Sequence, residues 1–465
     1  MRLVQRRRMP FAWPFAGPVA GVALSAAVAL TACSSGPATS AAPATGGAGV
    51  TTRPLEQGTA TSSGPATSAA TGKGGAGVTT RPLEGGTTGT VKGRSAAEQA
   101  RLDEQLRDAA WADDVARAAA LVRQGADVNA KDDTVQSAYL ISTSEGHLDL
   151  LRLTLANGAA VDDKDSWNGT GLIRAAERGH ALVVGELLQA GIDRDHVNRI
   201  GYQAVHEAVW LGRDTPAYVD TLRVIVAGGV ELTRRSRDEG LTPLQMARER
   251  GHTRLEGVLV KATTTKPPAD ADAALLAAAT RGDADAVARA LRAGADLEAR
   301  DDRRRTALLL AATGDHVDAA RVLVALGADP DALDDRHDTP WLVTGVTGSV
   351  AMLEALLPAG PDLTIRNRYG GVSVIPASER GHVDYVRRVV TTGIDVDHVN
   401  DLGWTALLEA VILGDGGRDH QEIVRVLLAA GADRSIADKE GVTALQHARA
   451  KGYAEMVRLL EAPAP

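Results

Sequence analysis

Two short stretches carry residue types that could perform chemistry, and each lacks a part that the chemistry needs. The stretch HEAVW at 206–210 begins like the zinc motif H-E-x-x-H, but its fifth residue is Trp210, so the second histidine ligand is missing. The stretch GKGGAG at 72–77 matches the spacing G-x-G-x-x-G, yet it follows no predicted strand and opens no predicted helix. The chain also has a single cysteine, Cys33, and neither a G-x-S-x-G elbow nor a Walker loop. The sequence therefore predicts a protein that is not an enzyme and has no metal or cofactor site.

The single cysteine stands at the end of an N-terminal apolar segment. A basic stretch, RLVQRRR at 2–8, is followed from Val19 by about 14 apolar or small residues. That length is short of the roughly 20 residues that a membrane-spanning helix needs, so residues 1–32 are predicted to be a secretion signal. The segment ends in LTAC at 30–33, which resembles the lipobox of bacterial lipoproteins.

The lipobox resemblance implies cleavage before Cys33 and lipidation of its thiol. The protein would then be held at the extracytoplasmic face of the cell membrane, since two acyl chains on one residue give stable anchoring. The alternative is an ordinary secretion signal beside an unmodified cysteine.

Residues 33–94 are predicted to form a disordered tether. The stretch SSGPATSAAPATGGAGVTTRPLEQGT at 34–59 recurs, little changed, at 62–87. Its Gly, Ser, Thr, Ala and Pro residues have almost nothing to bury. Sixty flexible residues would give a root-mean-square reach of roughly 43 Å, enough to lift a domain off a membrane.

The rest of the chain repeats with a period of 33 residues. The position before the second predicted helix of each unit is usually glycine, often followed by histidine, and it recurs mostly at that interval within each half. These positions are Gly146, Gly179, Gly212, Gly251, Gly282, Asp315, Gly348, Gly381, Gly414 and Gly452. Thr-Pro-Leu at 242–244 supplies a helix cap and a proline at the first helical position. Gly-Ala-Asp at 125–127 and its later copies supply a helix stop and a turn.

This period and these pieces resemble the ankyrin repeat, over roughly residues 105–461. The resemblance implies an all-α repeat solenoid in which each unit is a helix-turn-helix followed by a β-hairpin finger. It also implies that the protein binds partners with its fingers and first helices. The histidines that follow the glycines, namely His147, His180, His252, His316 and His382, are predicted to pack against the neighbouring unit.

The repeats are predicted to form two duplicated arrays behind the tether. The first spans 95–262, the second spans 273–465, and a linker at 263–272 contains two consecutive prolines. Each array ends in a unit without a following Gly-Ala-Asp hairpin, as a capping unit does. Whether the arrays stack into one solenoid or hinge at the prolines is left open.

One phrase is written twice, with 14 identities in 22 positions between 191–212 and 393–414. In register, its Asp-His-Val-Asn stretch lies on a finger, and aromatic residues lie at the entry of the following helix and on the preceding finger. Trp and Tyr are favoured as interface anchors. The candidate partner-binding residues are therefore Trp167, Asp195, His196, Tyr202, Tyr369, Asp397, His398 and Trp404. The alternative is purely structural: the acids bond their own turns and the histidines brace adjacent fingers.

The net charge indicates which kind of partner the protein favours. The net charge is −8, and without the four arginines of the signal it becomes −12. An acidic protein has no electrostatic reason to bind nucleic acid, and a basic protein partner is favoured. We expect a membrane-anchored scaffold or sequestering protein. The alternative is a lipoprotein that senses a ligand or metal through its paired Asp-His fingers.

Overall fold

The computed structural model describes residues 93–463 of the 465-residue chain. The predicted secretion signal, Cys33 and nearly all of the predicted tether lie outside the described residues. Within 93–463 the regular structure is helical, and all of these residues belong to one compact unit.

Twenty-two α-helices are present in the described residues, arranged as helix pairs. The first array contains α1 (Ala96–Trp111), α2 (Val115–Arg123), α3 (Ala138–Glu145), α4 (Leu148–Ala156), α5 (Gly171–Arg178), α6 (Ala181–Gln189), α7 (Ala204–Trp210), α8 (Pro216–Ala227), α9 (Pro243–Arg250) and α10 (Thr253–Thr264). The second array contains α11 (Ala271–Arg281), α12 (Ala284–Arg292), α13 (Ala307–Thr313), α14 (Val317–Ala325), α15 (Pro340–Thr347), α16 (Val350–Leu356), α17 (Val374–Glu379), α18 (Val383–Val389), α19 (Ala406–Ile412), α20 (Arg418–Ala429), α21 (Ala444–Ala450) and α22 (Ala454–Glu461). Short 3₁₀ turns at Leu357–Ala359 and Val390–Thr392 extend α16 and α18.

Local sequence explains how each pair begins and ends. At α9, the hydroxyl of Thr242 accepts the backbone N–H of Gln245, and the Gln245 side chain accepts the N–H of Thr242. This reciprocal cap satisfies two N–H groups that a helix start leaves unpaired. At α3, Gly146 ends the helix at φ +82°, and a Cβ there would lie 2.6 Å from Nδ1 of His180 in the next unit. The recurring glycine is therefore needed both for its left-handed backbone and for the close approach of the next histidine.

The helices form two layers within each array. Odd-numbered helices pack against the odd-numbered helices of neighbouring units and form an inner layer, and even-numbered helices form an outer layer. One continuous core of Ala, Leu, Val and Ile side chains runs from α3 through both arrays, and a second cluster around Leu106 and Leu121 joins α1 and α2 to α3. Small side chains allow thin helices to pack closely, which explains how a chain with 3% aromatic residues builds its core.

The two arrays pack against each other through their outer layers, which the sequence left open. Helix α6 contacts α14, and helix α8 contacts both α12 and α14. Near the ends of α6 and α14, Nε2 of Gln189 donates to the carbonyl oxygen of Ala325 at 3.1 Å. Beyond the end of α8, Nη1 of Arg292 on α12 donates to the carbonyl oxygen of Val230 at 2.8 Å. From one side of the structure to the other, the layers are the inner and outer helices of the first array, followed by the outer and inner helices of the second. The units of the second array stack in the opposite direction to those of the first, since α8 contacts α12 and α14 whereas the earlier α6 contacts α14.

Close packing and charge hold this interface together. Gly185 on α6 lies so near α14 that a Cβ would sit 1.8 Å from the carbonyl oxygen of Ala325. Nearby, Asp285 on α12 accepts from Arg223 at 2.7 Å and from Lys261 at 2.6 Å. The two arrays therefore do not form one continuous solenoid, and they are not two separate domains joined only by the proline-containing linker.

Two predicted details differ from the structure. The predicted linker 263–272 is shorter in the fold, since α10 continues to Thr264 and α11 begins at Ala271. The fingers contain isolated β-bridges rather than strands within 93–463, joining Lys164 with Thr170, Arg300 with Thr306 and Ala437 with Thr443. Each bridge encloses a turn of five residues, and a helix begins directly after its second residue, so the bridge does not extend into a ladder.

Candidate partner-binding surface

Six of the eight candidate residues lie on two pairs of adjacent fingers, and Tyr202 and Trp404 follow the second finger of each pair. We call residues 162–169 and 193–200 the first finger pair, and residues 364–371 and 395–402 the second finger pair. The first belongs to the first array and the second to the second array, at the sequence offset of 202 residues.

The first finger of each pair is closed by the side chain of an acid or an amide. In the first finger pair, Oδ1 of Asp165 accepts from the backbone N–H groups of Trp167 and Gly169, both at 2.8 Å. Asn367 makes the same two bonds in the second finger pair. These side chains serve the turn, as Asp and Asn commonly do.

The two finger histidines join each finger to the one before it. Nε2 of His196 donates to the carbonyl oxygen of Asn168 at 2.8 Å, and Nε2 of His398 donates to that of Gly370 at 2.7 Å. This is the bracing role that the structural alternative predicted for them.

The neighbouring aspartates bond in the other direction. Oδ1 of Asp195 accepts the backbone N–H of Glu231 at 2.7 Å, and Oδ1 of Asp397 accepts that of Asp433 at 2.8 Å. Each aspartate thus connects its finger to the following one, whereas each histidine connects the same finger to the preceding one. Within residues 93–463 no group of three or more His, Cys, Asp or Glu side chains is placed to hold a metal ion.

The asparagine of the doubled phrase ties its finger to a buried acid. Nδ2 of Asn198 donates to Oε1 of Glu207 at 2.7 Å, and Asn400 does the same to Glu409. Burial, reinforced by Glu177 nearby, raises the pKa of Glu207 to about 7. Burial, with Glu379, also raises the pKa of Glu409 to about 7.

Sequence reasoning missed these Asn–Glu pairs, although a spacing signal existed. Glu207 follows Asn198 by nine positions, and the same spacing joins Asp165 to Arg174 and Asp438 to His447. The finger residue and the first helix of the same unit therefore meet at a fixed register.

The HEAVW stretch is structural in the fold. His206 accepts the backbone N–H of Gln203 on Nδ1, and its Nε2 donates to the carbonyl oxygen of Arg234. Burial lowers the pKa of His206 to about 4, so its ring is neutral at pH 7. Glu207 accepts from Asn198, which lies on another finger than Arg234. The side chains of His206 and Glu207 therefore contact different fingers and do not form a common site.

The aromatic candidates divide into exposed and buried members. Trp167 is 41% exposed and Tyr369 is 55% exposed, at equivalent places on the two finger pairs. Tyr202 is 3% exposed and its hydroxyl donates to Glu239, so its ring offers no surface to a partner. Trp404 is half-buried against the core. Trp167 and Tyr369 are the aromatic residues best placed to anchor a partner.

The second finger pair also exposes two apolar residues that sequence reasoning did not select. Val399 is 44% exposed and Leu402 is 49% exposed. The backbone N–H of Asp401, between them, donates to the carbonyl oxygen of Tyr369 at 2.9 Å, so the segment that carries both residues lies beside Tyr369. The signal available was their register, because Leu402 follows Tyr369 by one 33-residue period.

The histidines that follow the recurring glycines mostly brace neighbouring units, as predicted. Ring nitrogens of four of them contact a carbonyl oxygen near the end of the preceding unit's first helix, at 3.0–3.2 Å: His147, His180, His316 and His382. His252 has no hydrogen-bond partner for its buried Nδ1 among the described residues.

A cleft of about 420 Å³ opens between α8, α10 and α12. Its walls include Arg223, Asp220, Lys261 and Asp285, which bond one another across the array interface. The cleft is thus part of the inter-array contact. No helix within 93–463 is long and apolar enough to cross a membrane.

Comparison with known proteins assigns the repeats. The family model described as ankyrin repeats (3 copies) matches residues 257–334, 274–367, 341–435 and 374–463. The same helix pair, finger and bracing histidine recur in the first array, so both arrays have the architecture of the ankyrin repeats that the family model matches within 257–463.

Named relatives agree with that assignment. The chain is 45% identical over 112 residues to YahD of Escherichia coli (strain K12), which carries the name of an ankyrin repeat protein. That match covers 24% of this chain and 56% of the relative, so the chain spans about half of the length of YahD.

Two solved structures are also similar. An ankyrin repeat domain from Acinetobacter baumannii AYE is 46% identical, with 40% of this chain and 95% of that chain covered and a TM-score of 0.39. The ankyrin repeat protein EF0377 is 38% identical, with 41% and 96% covered and a TM-score of 0.40.

Proposed function

We propose that this protein is a lipid-anchored extracytoplasmic module that binds another protein through its finger pairs, as a scaffold or to sequester that partner. Ankyrin repeats imply protein partners in general. The observation that carries the proposal is the exposure of Trp167 and Tyr369 at equivalent finger positions in an aromatic-poor chain. Large, rigid aromatic side chains of this kind anchor protein interfaces.

Charge supports a basic partner. Residues 93–465 contain 43 Lys and Arg and 57 Asp and Glu, which gives a net charge of −14. A field of that sign speeds the encounter with basic proteins and slows that with nucleic acid.

The alternative of ligand or metal sensing by the Asp-His fingers is less well supported. Nε2 of His196 and Oδ1 of Asp195 already bond backbone groups on two different neighbouring fingers. A ligand that used both would have to break these two bonds.

The binding proposal is tested by affinity capture from envelope and secreted fractions with the full chain as bait. The comparison bait carries Trp167→Ala and Tyr369→Ala, and a control bait carries Trp111→Ala, which removes another exposed aromatic residue, 51% exposed, from the end of α1. We expect one protein that the wild type and the control retain and the double variant loses. A protein retained equally by all three baits would place binding away from the finger pairs and contradict the proposal.

Anchoring is proposed from the sequence alone, on the lipobox that ends at Cys33. Cys33→Ser removes the thiol that lipidation needs, and we expect the variant protein to move from the membrane fraction to the soluble fraction or the medium. Unchanged partition into the membrane would refute lipid anchoring without affecting the binding proposal.

A further inference from the structure

The two finger pairs repeat the same set of contacts. In each, a histidine donates to the preceding finger, and an aspartate accepts from the following one. The backbone N–H of Arg199 donates to the carbonyl oxygen of Trp167 at 3.1 Å, as that of Asp401 does to Tyr369 at 2.9 Å. An exposed aromatic side chain therefore stands on the same rigid support twice.

The two finger pairs lie on opposite sides of the interface between the arrays. The inter-array contacts use the outer helices α6, α8, α12 and α14. The first finger pair adjoins the inner helices α5 and α7, and the second adjoins α17 and α19. Since the layer order is inner, outer, outer, inner, neither finger pair is covered by the other array.

The two surfaces are also displaced along the stack. The second finger of the first pair follows α6, which packs against α14, whereas the second finger of the second pair follows α18, two units beyond α14. At about 10 Å per helix pair, that displacement is roughly 20 Å, in addition to the thickness of the layers. A protein bound at one finger pair leaves the other accessible.

We infer that the chain is bivalent and holds two copies of one partner, one at each finger pair. This inference rests on the proposed function, because it takes the finger pairs as the binding surfaces. Two sites on one chain would also bind an oligomeric partner with greater avidity than either site alone.

The chemistry of the surfaces indicates what the partner presents. Each finger pair combines an exposed aromatic residue with a net negative charge, −2 in the first pair and −1 in the second, where the guanidinium of Arg368 lies 4.7 Å from the centre of the Tyr369 ring. The partner is therefore a protein that offers an apolar side chain among basic residues. The exposed Val399 and Leu402 enlarge the apolar area of the second pair, so we expect tighter binding there.

The test uses the detergent-solubilised full chain and short displayed random peptides as probes. Peptides enriched on the wild type are then titrated by calorimetry against the wild type, Trp167→Ala, Tyr369→Ala and the double variant. Trp111→Ala is the matched control. Circular dichroism and the melting temperature of each variant establish that it remains folded.

We expect two basic, apolar-anchored peptides per wild-type or control chain, one per single variant and none per double variant. One peptide per wild-type chain, lost through only one of the single variants, would overturn bivalency while leaving the proposed function intact. Binding that the double variant retains, or no enriched peptide at all, would overturn the proposed function and the inference with it.

Discussion

At the scale of single residues, the doubled phrase is mainly a structural device. Its histidine and aspartate bond neighbouring fingers, and its asparagine bonds a buried glutamate on the following helix. These bonds occupy polar groups that a long hairpin would otherwise leave without partners. The fingers are thereby held rigid, which lowers the entropy lost when their exposed side chains bind.

The buried glutamates make the stability of the arrays depend on pH. The pKa of Glu207 and of Glu409 is about 7 in the fold, against an ordinary value of 4.5. Because the folded state holds these protons more tightly, the stability that they contribute is complete below pH 4.5. It is lost as the pH rises from 4.5 through about 7.

We predict that Glu207→Gln and Glu409→Gln raise the free energy of unfolding at pH 8, each by up to about 3 kcal/mol, and change it little at pH 4.5. Glutamine keeps the shape and an acceptor for the asparagine but carries no charge to bury. Urea unfolding across this pH range checks the prediction, with the exposed Glu249→Gln as control. Equal effects of the glutamine variants at both pH values would contradict it.

At the scale of helices, the outer layer shows why duplicated elements differ in sequence. Helix α8 packs against the other array and is buried around most of its surface, with Val219 and Val226 among its buried residues. Its equivalent α20, at the offset of 202, has Gln421 where α8 has Val219. Helix α20 is buried on one side through Ile423, Val424 and Leu427. Covered helices can be apolar on two faces, whereas an uncovered helix keeps a polar face for water.

The contact between α6 and α14 depends on the absence of one side chain. Gly185→Ala would place a methyl group against the carbonyl oxygen of Ala325, so we predict a loss of about 1–3 kcal/mol in the free energy of unfolding. Gly257 on α10 is a helical glycine with no atom near its added Cβ. Gly257→Ala is therefore predicted to stabilise by roughly 0.5–1 kcal/mol.

Thermal unfolding of these two variants separates packing from helix propensity. A stabilising effect of Gly185→Ala, similar to that of Gly257→Ala, would show that α6 and α14 do not approach as described.

At the scale of the whole described structure, the two arrays behave as one unit through their outer layers. Asp285 is the acid that connects the second array to Arg223 and Lys261 of the first. Its removal would leave the largely buried Arg223 with fewer acceptors, although Asp220 remains beside it. A charged hydrogen bond of this kind contributes about 1.5–3 kcal/mol.

We therefore predict that Asp285→Ala lowers the free energy of unfolding by about 2 kcal/mol. The control, Asp384→Ala, removes an acid whose ion pair with Arg387 lies on the uncovered α18 and is largely exposed. Exposed pairs contribute little, so we expect almost no change. The midpoints of urea unfolding of the two variants test this prediction. Equal losses of stability in Asp285→Ala and Asp384→Ala would refute an inter-array role for Asp285.

The sequence by itself determined the repeat, its register and the nature of the fold. The 33-residue period, the helix caps and the helix-ending glycines are local signals, because each depends on hydrogen bonds and backbone angles within one unit or between neighbours. The bracing histidines were predicted for the same reason. Confirmation came from the recurring helix pairs and from the match to ankyrin repeats.

Only the tertiary structure decided how the arrays meet and which candidates are exposed. The approach of Gly185 to Ala325 joins residues 140 positions apart, and no period in the sequence relates them. Tyr202 and Trp167 are both aromatic residues of the first array, yet one is buried and the other exposed. That difference depends on the packing around each ring, a nonlocal property that residue type and spacing do not encode.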